Sequence, residues 1–211
     1  MSTWILYLIL ASVILSFFIA GFVYERYLLT GKKLRHLQTW FIAWVIVGIR
    51  TGLELFNFTS PSYTLFVAYM TLAHSIMWYY GLAQLMKYQH LWKRSFTLVY
   101  IAACALSQVP LLAWGKTHLA IASIYLIFTP IMYFILAYAF FKPALHRKKL
   151  GLSLVSGAFF LWGLDYLIFG YPYYVLQNHL AGTIGWFLGF LFRILIIMGF
   201  YLMVEETSST Y

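Results

Sequence analysis

The sequence has few charged residues and almost no cysteine. Only 9% of its 211 residues are charged, and 64% are hydrophobic, whereas ordinary soluble domains carry about 25% charged residues. A chain of this composition cannot cover a surface that faces water, which excludes a soluble globular domain. The single cysteine, Cys104, has no cysteine partner within the chain, which excludes an intrachain disulfide and a cysteine-based metal site.

Acidic residues are also scarce, with 5 Asp and Glu against 14 Lys and Arg. The basic residues are spread over short connections and do not form one basic face, so nucleic acid is not an expected partner. The chain has no zinc-protease, serine-hydrolase or phosphate-loop motif, and nothing supplies a nucleophile. The sequence therefore predicts neither an enzyme nor a bound metal or other cofactor.

Long hydrophobic runs occupy most of the chain. A helix that spans a bilayer needs about 20 mostly apolar residues, and unpaired backbone groups are too costly in lipid for irregular structure. We therefore predict an all-α polytopic membrane protein whose seven transmembrane helices form a single domain over residues 1–211. The expected spans are 4–24, 40–58, 63–86, 95–114, 117–141, 150–171 and 183–204.

The basic residues predict the orientation of these helices. Eleven of them lie in the connections that follow helices one, three and five, whereas the opposite set of connections holds only Lys116. By the positive-inside rule, the N-terminus lies outside the cell membrane and the C-terminus lies in the cytoplasm. The same basic segments are expected to contact anionic membrane lipids.

A short pattern recurs at a constant offset of 111 residues. It indicates a parallel repeat of 3+1+3 type, in which helix four is the odd member. Chance matches in a compositionally biased chain are the alternative. The matched positions are Gly52-Leu53-Glu54, Phe58, Pro61 and Tyr63 with Gly163-Leu164-Asp165, Phe169, Pro172 and Tyr174.

Five polar side chains within the predicted spans are the candidate site: Arg50, Glu54, His74, Asp165 and Arg193. At 1.5 Å per residue, both arginines and His74 lie about 15 Å from a span end, with the two carboxylates nearer the outer side. Arg50 and Glu54 are four residues apart and share a helix face, and Asp165 is the expected counter-ion of Arg193. Such costly residues usually face the bundle interior and mark function; ion pairs that only fix helix packing are the alternative.

Aromatic residues cluster at the predicted outer ends of helices two, three and six. They fit a belt of rings at the membrane interface. They also fit an outward-facing cavity with the charged side chains at its base, suited to an amphipathic ligand with an anionic or hydrogen-bonding head. The residues are Phe58, Tyr63, Tyr166, Tyr171, Tyr173 and Tyr174.

Helices two, six and seven carry a resemblance to a known family. The segments are Trp44, Arg50 and Leu53-Glu54-Leu55, then Leu161-Trp162-Gly163-Leu164-Asp165-Tyr166-Leu167, Tyr171-Pro172, Gly185-Trp186-Phe187-Leu188 and Leu202-Met203-Val204-Glu205-Glu206. They resemble the seven-helix N-terminal sensory region of prokaryotic sensor histidine kinases and diguanylate cyclases. That resemblance implies signal input in the membrane bundle and output through helix seven. The sequence departs from it by ending soon after Glu206, where relatives continue into an effector domain.

Together these features predict a membrane-embedded sensory or receptor domain. It would bind a small ligand, lipid-like or anionic, within the helix bundle and signal through helix seven to a cytoplasmic effector domain or partner protein. The alternatives are a small-solute or proton-coupled transporter of 3+1+3 type, with the charged side chains as its midplane site, and a scaffold that serves only assembly.

Overall fold

The computed structural model describes residues 3–31, 34–56, 60–85, 94–147, 149–176 and 178–208. Side chains are described throughout these ranges except at residues 85, 94–97, 147 and 204–208. Helices make up nearly all of these ranges, and no strand occurs in them. The all-α prediction is therefore confirmed.

The helical segments form seven rods, which we number in chain order. Three of them contain a local change of helix type: α2 ends in a 3₁₀ turn, and α5 and α6 each contain a π-helical turn. The bounds are α1 Thr3–Leu29; α2 Arg35–Leu53 with Glu54–Phe56; α3 Pro61–Leu85; α4 Arg94–Ala113; α5 Thr117–Ser123, Ile124–Phe128 and Thr129–Arg147; α6 Leu150–Asp165, Tyr166–Gly170 and Tyr171–Tyr174; and α7 His179–Ser208.

Five of these rods, α1, α2, α5, α6 and α7, are long and apolar enough to cross a membrane. In α4, the apolar helix Leu98–Ala113 is shorter, and α3 does not reach the same standard within the described residues. The structure thus supports a membrane protein. All seven rods overlap the predicted spans, and seven crossings remain a prediction.

Most helices run further than the predicted spans. Hydropathy marks only the part of a helix that suits hydrocarbon, and the helix continues until a residue stops it. Gly31 and Gly115 follow α1 and α4 with φ of 61° and 68°, the left-handed conformation that commonly ends a helix. The predicted span ends at 58 and 86, Phe58 of the repeat, and the side chains of Glu205 and Glu206 lie outside the described residues.

Six of the helices form a closed ring in the order α1, α2, α3, α5, α6 and α7, with α7 packed against α1. Helix α4 packs outside this ring against α3 and α5. Gln108 holds it there: its Nε2 donates to Ser123 Oγ of α5 at 2.6 Å, and its Oε1 accepts from the Tyr69 hydroxyl of α3 at 3.3 Å.

Large aromatic side chains from α2, α3, α5 and α6 fill part of the interior of the ring. Trp44 of α2 lies with its ring centre 5.3 Å from that of Trp78 on α3, and Trp78 lies 5.1 Å from Phe159 on α6. Tyr133 of α5 stacks on Trp162 of α6 at 5.2 Å. These five side chains are at most 3% exposed. We call them the aromatic plug, because these buried rings pack against one another across the interior of the ring.

Helices α6 and α7 meet backbone to backbone at Gly151 and Gly199. A Cβ atom on Gly151 would lie 2.7 Å from the Met203 amide nitrogen and 2.8 Å from the Gly199 carbonyl oxygen. Only glycine permits this approach, as at other small-residue contacts between membrane helices. The crossing lies where α6 begins and α7 approaches its end.

Candidate functional site

A small cavity lies among α2, α3, α6 and α7, on the far side of the aromatic plug from the Gly151–Gly199 crossing. It holds about 50 Å³, and a single water molecule needs about 10–15 Å³. Its size therefore suits a few water molecules or a compact ligand, and not an acyl chain. Four of the five predicted site residues line it: Arg50, His74, Asp165 and Arg193.

Two π-helical turns occur near this cavity, in α5 and in α6. Such turns are rare and often mark functional sites. In α5 the turn Ile124–Phe128 precedes Pro130, which has no N–H to donate and displaces the carbonyl of the preceding turn. In α6 the turn Tyr166–Gly170 begins directly after Asp165, and three of its residues, Tyr166, Phe169 and Gly170, line the cavity.

Arg50 and Glu54 form a buried ion pair, which confirms the predicted pairing. Arg50 Nη2 lies 3.5 Å from Glu54 Oε1, and each residue is 6% exposed. The Tyr174 hydroxyl donates to Glu54 Oε1 at 2.5 Å and accepts from Arg50 Nη2. The guanidinium also lies 5.6 Å from the centre of the Trp186 ring. The charge of Arg50 is thus compensated within the protein.

The Tyr174 hydroxyl links both members of this pair, so its removal is expected to be costly. For Tyr174→Phe we expect a loss of about 1–3 kcal/mol in the free energy of unfolding, because two buried polar groups lose a partner. Unfolding in detergent, followed by circular dichroism, measures it. The control is Tyr171→Phe in the same helix, since the Tyr171 hydroxyl bonds to none of the described residues. Equal effects of the two variants would contradict the link.

Arg193 is a buried cation that forms no ion pair with the described residues. It is 2% exposed; Nε donates to Ser16 Oγ at 2.9 Å, Nη1 to the Gly189 carbonyl at 2.7 Å and Nη2 to Thr51 Oγ1 at 2.9 Å. Among the described side chains, no carboxylate lies within 4.0 Å of it. The predicted ion pair with Asp165 is therefore wrong, because hydroxyls of α1 and α2 hold the guanidinium instead.

Asp165 and His74 each present an atom with unmet hydrogen-bonding capacity. Asp165 Oδ1 and His74 Nε2 are both buried, and neither has a hydrogen-bond partner. The other nitrogen of the histidine, Nδ1, lies 3.2 Å from the Tyr133 hydroxyl. A buried polar atom without a partner costs about 1–3 kcal/mol. Both residues line the cavity, so a molecule inside it can supply the missing partner.

One wall of the cavity is made of glycines that are not among the five predicted site residues. Gly182, Gly185 and Gly189 of α7 line it. A Cβ atom on Gly185 would lie 3.3 Å from Asp165 Oδ1, and one on Gly189 would lie 3.3 Å from Arg193 Nη1. Their spacing of three and four residues puts them on one face of the helix, which is the signal that could have revealed them.

The predicted aromatic cluster divides between several roles. Tyr166, Tyr173 and Tyr174 line the cavity, as the second interpretation of these rings expects. Tyr63 instead donates its hydroxyl to the Leu53 carbonyl at the end of α2. The rings of Tyr174 and Tyr125 stack at 4.6 Å, which joins α6 to the π-helical turn of α5.

The site has no arrangement of ligands for a metal ion. Within the described ranges, no group of three or more His, Cys, Asp or Glu side chains is close enough together to hold one. Hydrogen bonding and charge are therefore the chemistry that these side chains offer.

Comparisons of the chain with protein-family models, with curated proteins and with solved structures found no match.

Proposed function

We propose that the chain is a membrane-embedded sensory or receptor domain that binds a small polar ligand in the central cavity. The observation that carries this proposal is Arg193: it lines the cavity, it is buried, and all its hydrogen-bond partners are neutral. A buried charge is costly unless it is paired. A ligand group in the cavity would compensate it, as Glu54 compensates Arg50.

The position of the cavity supports an output through α7. This helix supplies both Arg193 and the glycine wall, and it continues as a helix to Ser208. A ligand that contacts these residues acts directly on α7, without an intervening element. In the proposed arrangement all seven helices cross the membrane, the N-terminus is outside, and α7 carries the signal to a cytoplasmic effector domain or partner protein.

The aromatic plug favours a receptor over a transporter. A transporter opens its central site to each side of the membrane in turn, whereas here five buried rings close the half of the ring beyond Trp162. The cavity also limits the ligand. Because it holds about 50 Å³, it accepts a compact molecule or a polar head, and a lipid tail would have to lie elsewhere.

Transport remains the second candidate because the ring has the contacts that a 3+1+3 repeat requires. In such a repeat, α1, α2 and α3 would correspond to α5, α6 and α7. The contact of α3 with α5 then corresponds to that of α7 with α1, and both are present, with α4 outside. Uptake of a bound solute into sealed proteoliposomes would favour transport, and binding without uptake would favour a receptor.

The ligand-binding proposal is tested by closing the cavity. Gly185→Val places three carbon atoms beside Asp165 Oδ1, in a cavity of about 50 Å³. Protein purified in mild detergent is analysed by mass spectrometry for small molecules that accompany it. We expect one compound to co-purify with the unsubstituted protein in a near-equimolar amount. The amount that co-purifies with Gly185→Val should be at least tenfold smaller.

The control for this experiment is Gly157→Ala in α6. A Cβ atom on Gly157 has nothing within 4 Å, so this variant changes a helix next to the cavity without filling it. It should retain the compound. If the original chain carries no compound, or if Gly185→Val retains it fully, ligand binding in this cavity is refuted.

A further inference from the structure

The cavity has walls of opposite charge that do not meet. Arg193 and Asp165 both line it, and no ion pair within 4.0 Å joins them. The other charged pair at the site, Arg50 with Glu54, is already neutralised by direct contact. The groups without an ion-pair partner are therefore one guanidinium and one carboxyl group, on different helices that both line the cavity. A cation bound beside the carboxyl group favours its ionised form.

The positive wall has the donors that a carboxylate requires. A guanidinium carries five N–H groups, and Arg193 uses one on each nitrogen for Ser16, Gly189 and Thr51. One N–H group on each of the two terminal nitrogens is left without a described partner. Two such neighbouring groups match the two oxygens of a carboxylate.

The negative wall has the features that an ammonium group requires. Asp165 Oδ1 is buried and has no hydrogen-bond partner. Tyr166, Phe169 and Tyr173 also line the cavity, and aromatic faces attract cations in water-poor sites. A carboxylate among such rings is suited to a small ammonium group.

A ligand with only one charge would fit this cavity poorly. A simple anion would compensate Arg193 but would bring no donor to Asp165 Oδ1, which has no hydrogen-bond partner. A simple cation would compensate Asp165 but would be repelled by Arg193. A zwitterion satisfies both walls and brings no net charge into a site where an unpaired charge is expensive.

We propose that the cavity binds a small zwitterion of the α-amino acid class, with its carboxylate on Arg193 and its ammonium on Asp165. This inference rests on the proposed function and names its ligand class. The volume of about 50 Å³, which depends on the absence of side chains at Gly185 and Gly189, restricts the ligand to the smallest members. His74 Nε2, which has no partner, is the further polar contact available to it.

The experiment uses the full chain in lipid nanodiscs and measures its thermal unfolding with increasing glycine. Acetate and methylammonium, the two charged halves of glycine, are tested at equal ionic strength. We expect glycine to raise the unfolding temperature in a saturable manner and neither half to do so alone. Asp165→Asn and Arg193→Gln should each weaken glycine binding at least tenfold, and Gly157→Ala should leave it unchanged.

Gly185→Ala is the additional variant if Arg193→Gln does not fold, because it narrows the cavity without removing a charge. Loss of glycine binding in this variant supports the site, and unchanged binding overturns it.

Equal stabilisation by acetate would overturn the proposal that the ligand is a zwitterion. The cavity would then be a site for a simple anion, and the proposed function would stand. If glycine has no effect, but another compound co-purifies with the unsubstituted protein and does not co-purify with Gly185→Val, only the proposed ligand class is wrong. If nothing binds, both proposals fail.

Discussion

Glu54→Ala is expected to lower the free energy of unfolding by about 3–5 kcal/mol, which is the usual cost of removing one partner of a buried ion pair and leaving the other. The variant leaves the Arg50 guanidinium, which is 6% exposed, without its carboxylate. Replacing both partners, in Arg50→Met with Glu54→Leu, should recover most of the loss because no uncompensated charge remains. Thermal or denaturant unfolding in detergent measures all three variants.

Asp165→Asn is the matched control, since it also removes a carboxylate from the site. Asp165 has no cation within 4.0 Å among the described residues, and its Oδ1 has no hydrogen-bond partner. We expect a change of at most about 1 kcal/mol, because no ion pair is broken. A loss as large as that of Glu54→Ala would mean that Asp165 is paired, contrary to the structure.

Gly151→Ala is expected to destabilise the protein by about 3 kcal/mol, the upper end of the usual cost of overpacking. The added methyl group would meet the Met203 amide nitrogen at 2.7 Å and the Gly199 carbonyl oxygen at 2.8 Å. Both are backbone atoms, so no side-chain rotation can relieve the contact. Helices α6 and α7 must separate, which also disturbs the packing between them. Unfolding in detergent measures the loss.

The same substitution six residues further along α6 should act in the opposite direction. Gly157→Ala meets nothing within 4 Å, and alanine favours a helix over glycine by about 0.5–1 kcal/mol. A small gain in stability is therefore expected. If Gly151→Ala were as harmless as Gly157→Ala, the backbone contact between α6 and α7 would be refuted.

The helical class and the Arg50–Glu54 pair could be predicted because both depend on positions close in sequence. Apolar runs of this length favour helices, and a spacing of four residues puts two side chains on one face. The partner of Arg193 depends instead on the rotation of α7 against its neighbours. Two hydroxyls, Ser16 on α1 and Thr51 on α2, decide that partner.

The cavity itself could be anticipated only in part. The charged side chains and the rings could be selected from the sequence because they are expensive or bulky in a membrane. Its free space comes from Gly185 and Gly189, whose signal in the sequence is their spacing along one face of α7 and not their hydropathy. How far α3 and α4 enter the membrane also depends on packing, since their composition alone does not decide it.

In the proposed signalling arrangement, the Gly151–Gly199 crossing would be a pivot that divides α7 into two arms of nearly equal length. From Gly189 at the cavity to Gly199 the helix rises about 15 Å, and from Gly199 to Ser208 it rises about 14 Å, at 1.5 Å per residue. A rigid helix that pivots at this crossing moves at one end by about the distance imposed at its other end, in the opposite direction. A displacement of about 1 Å that a ligand imposes at Gly189 would therefore move Ser208 by nearly the same distance.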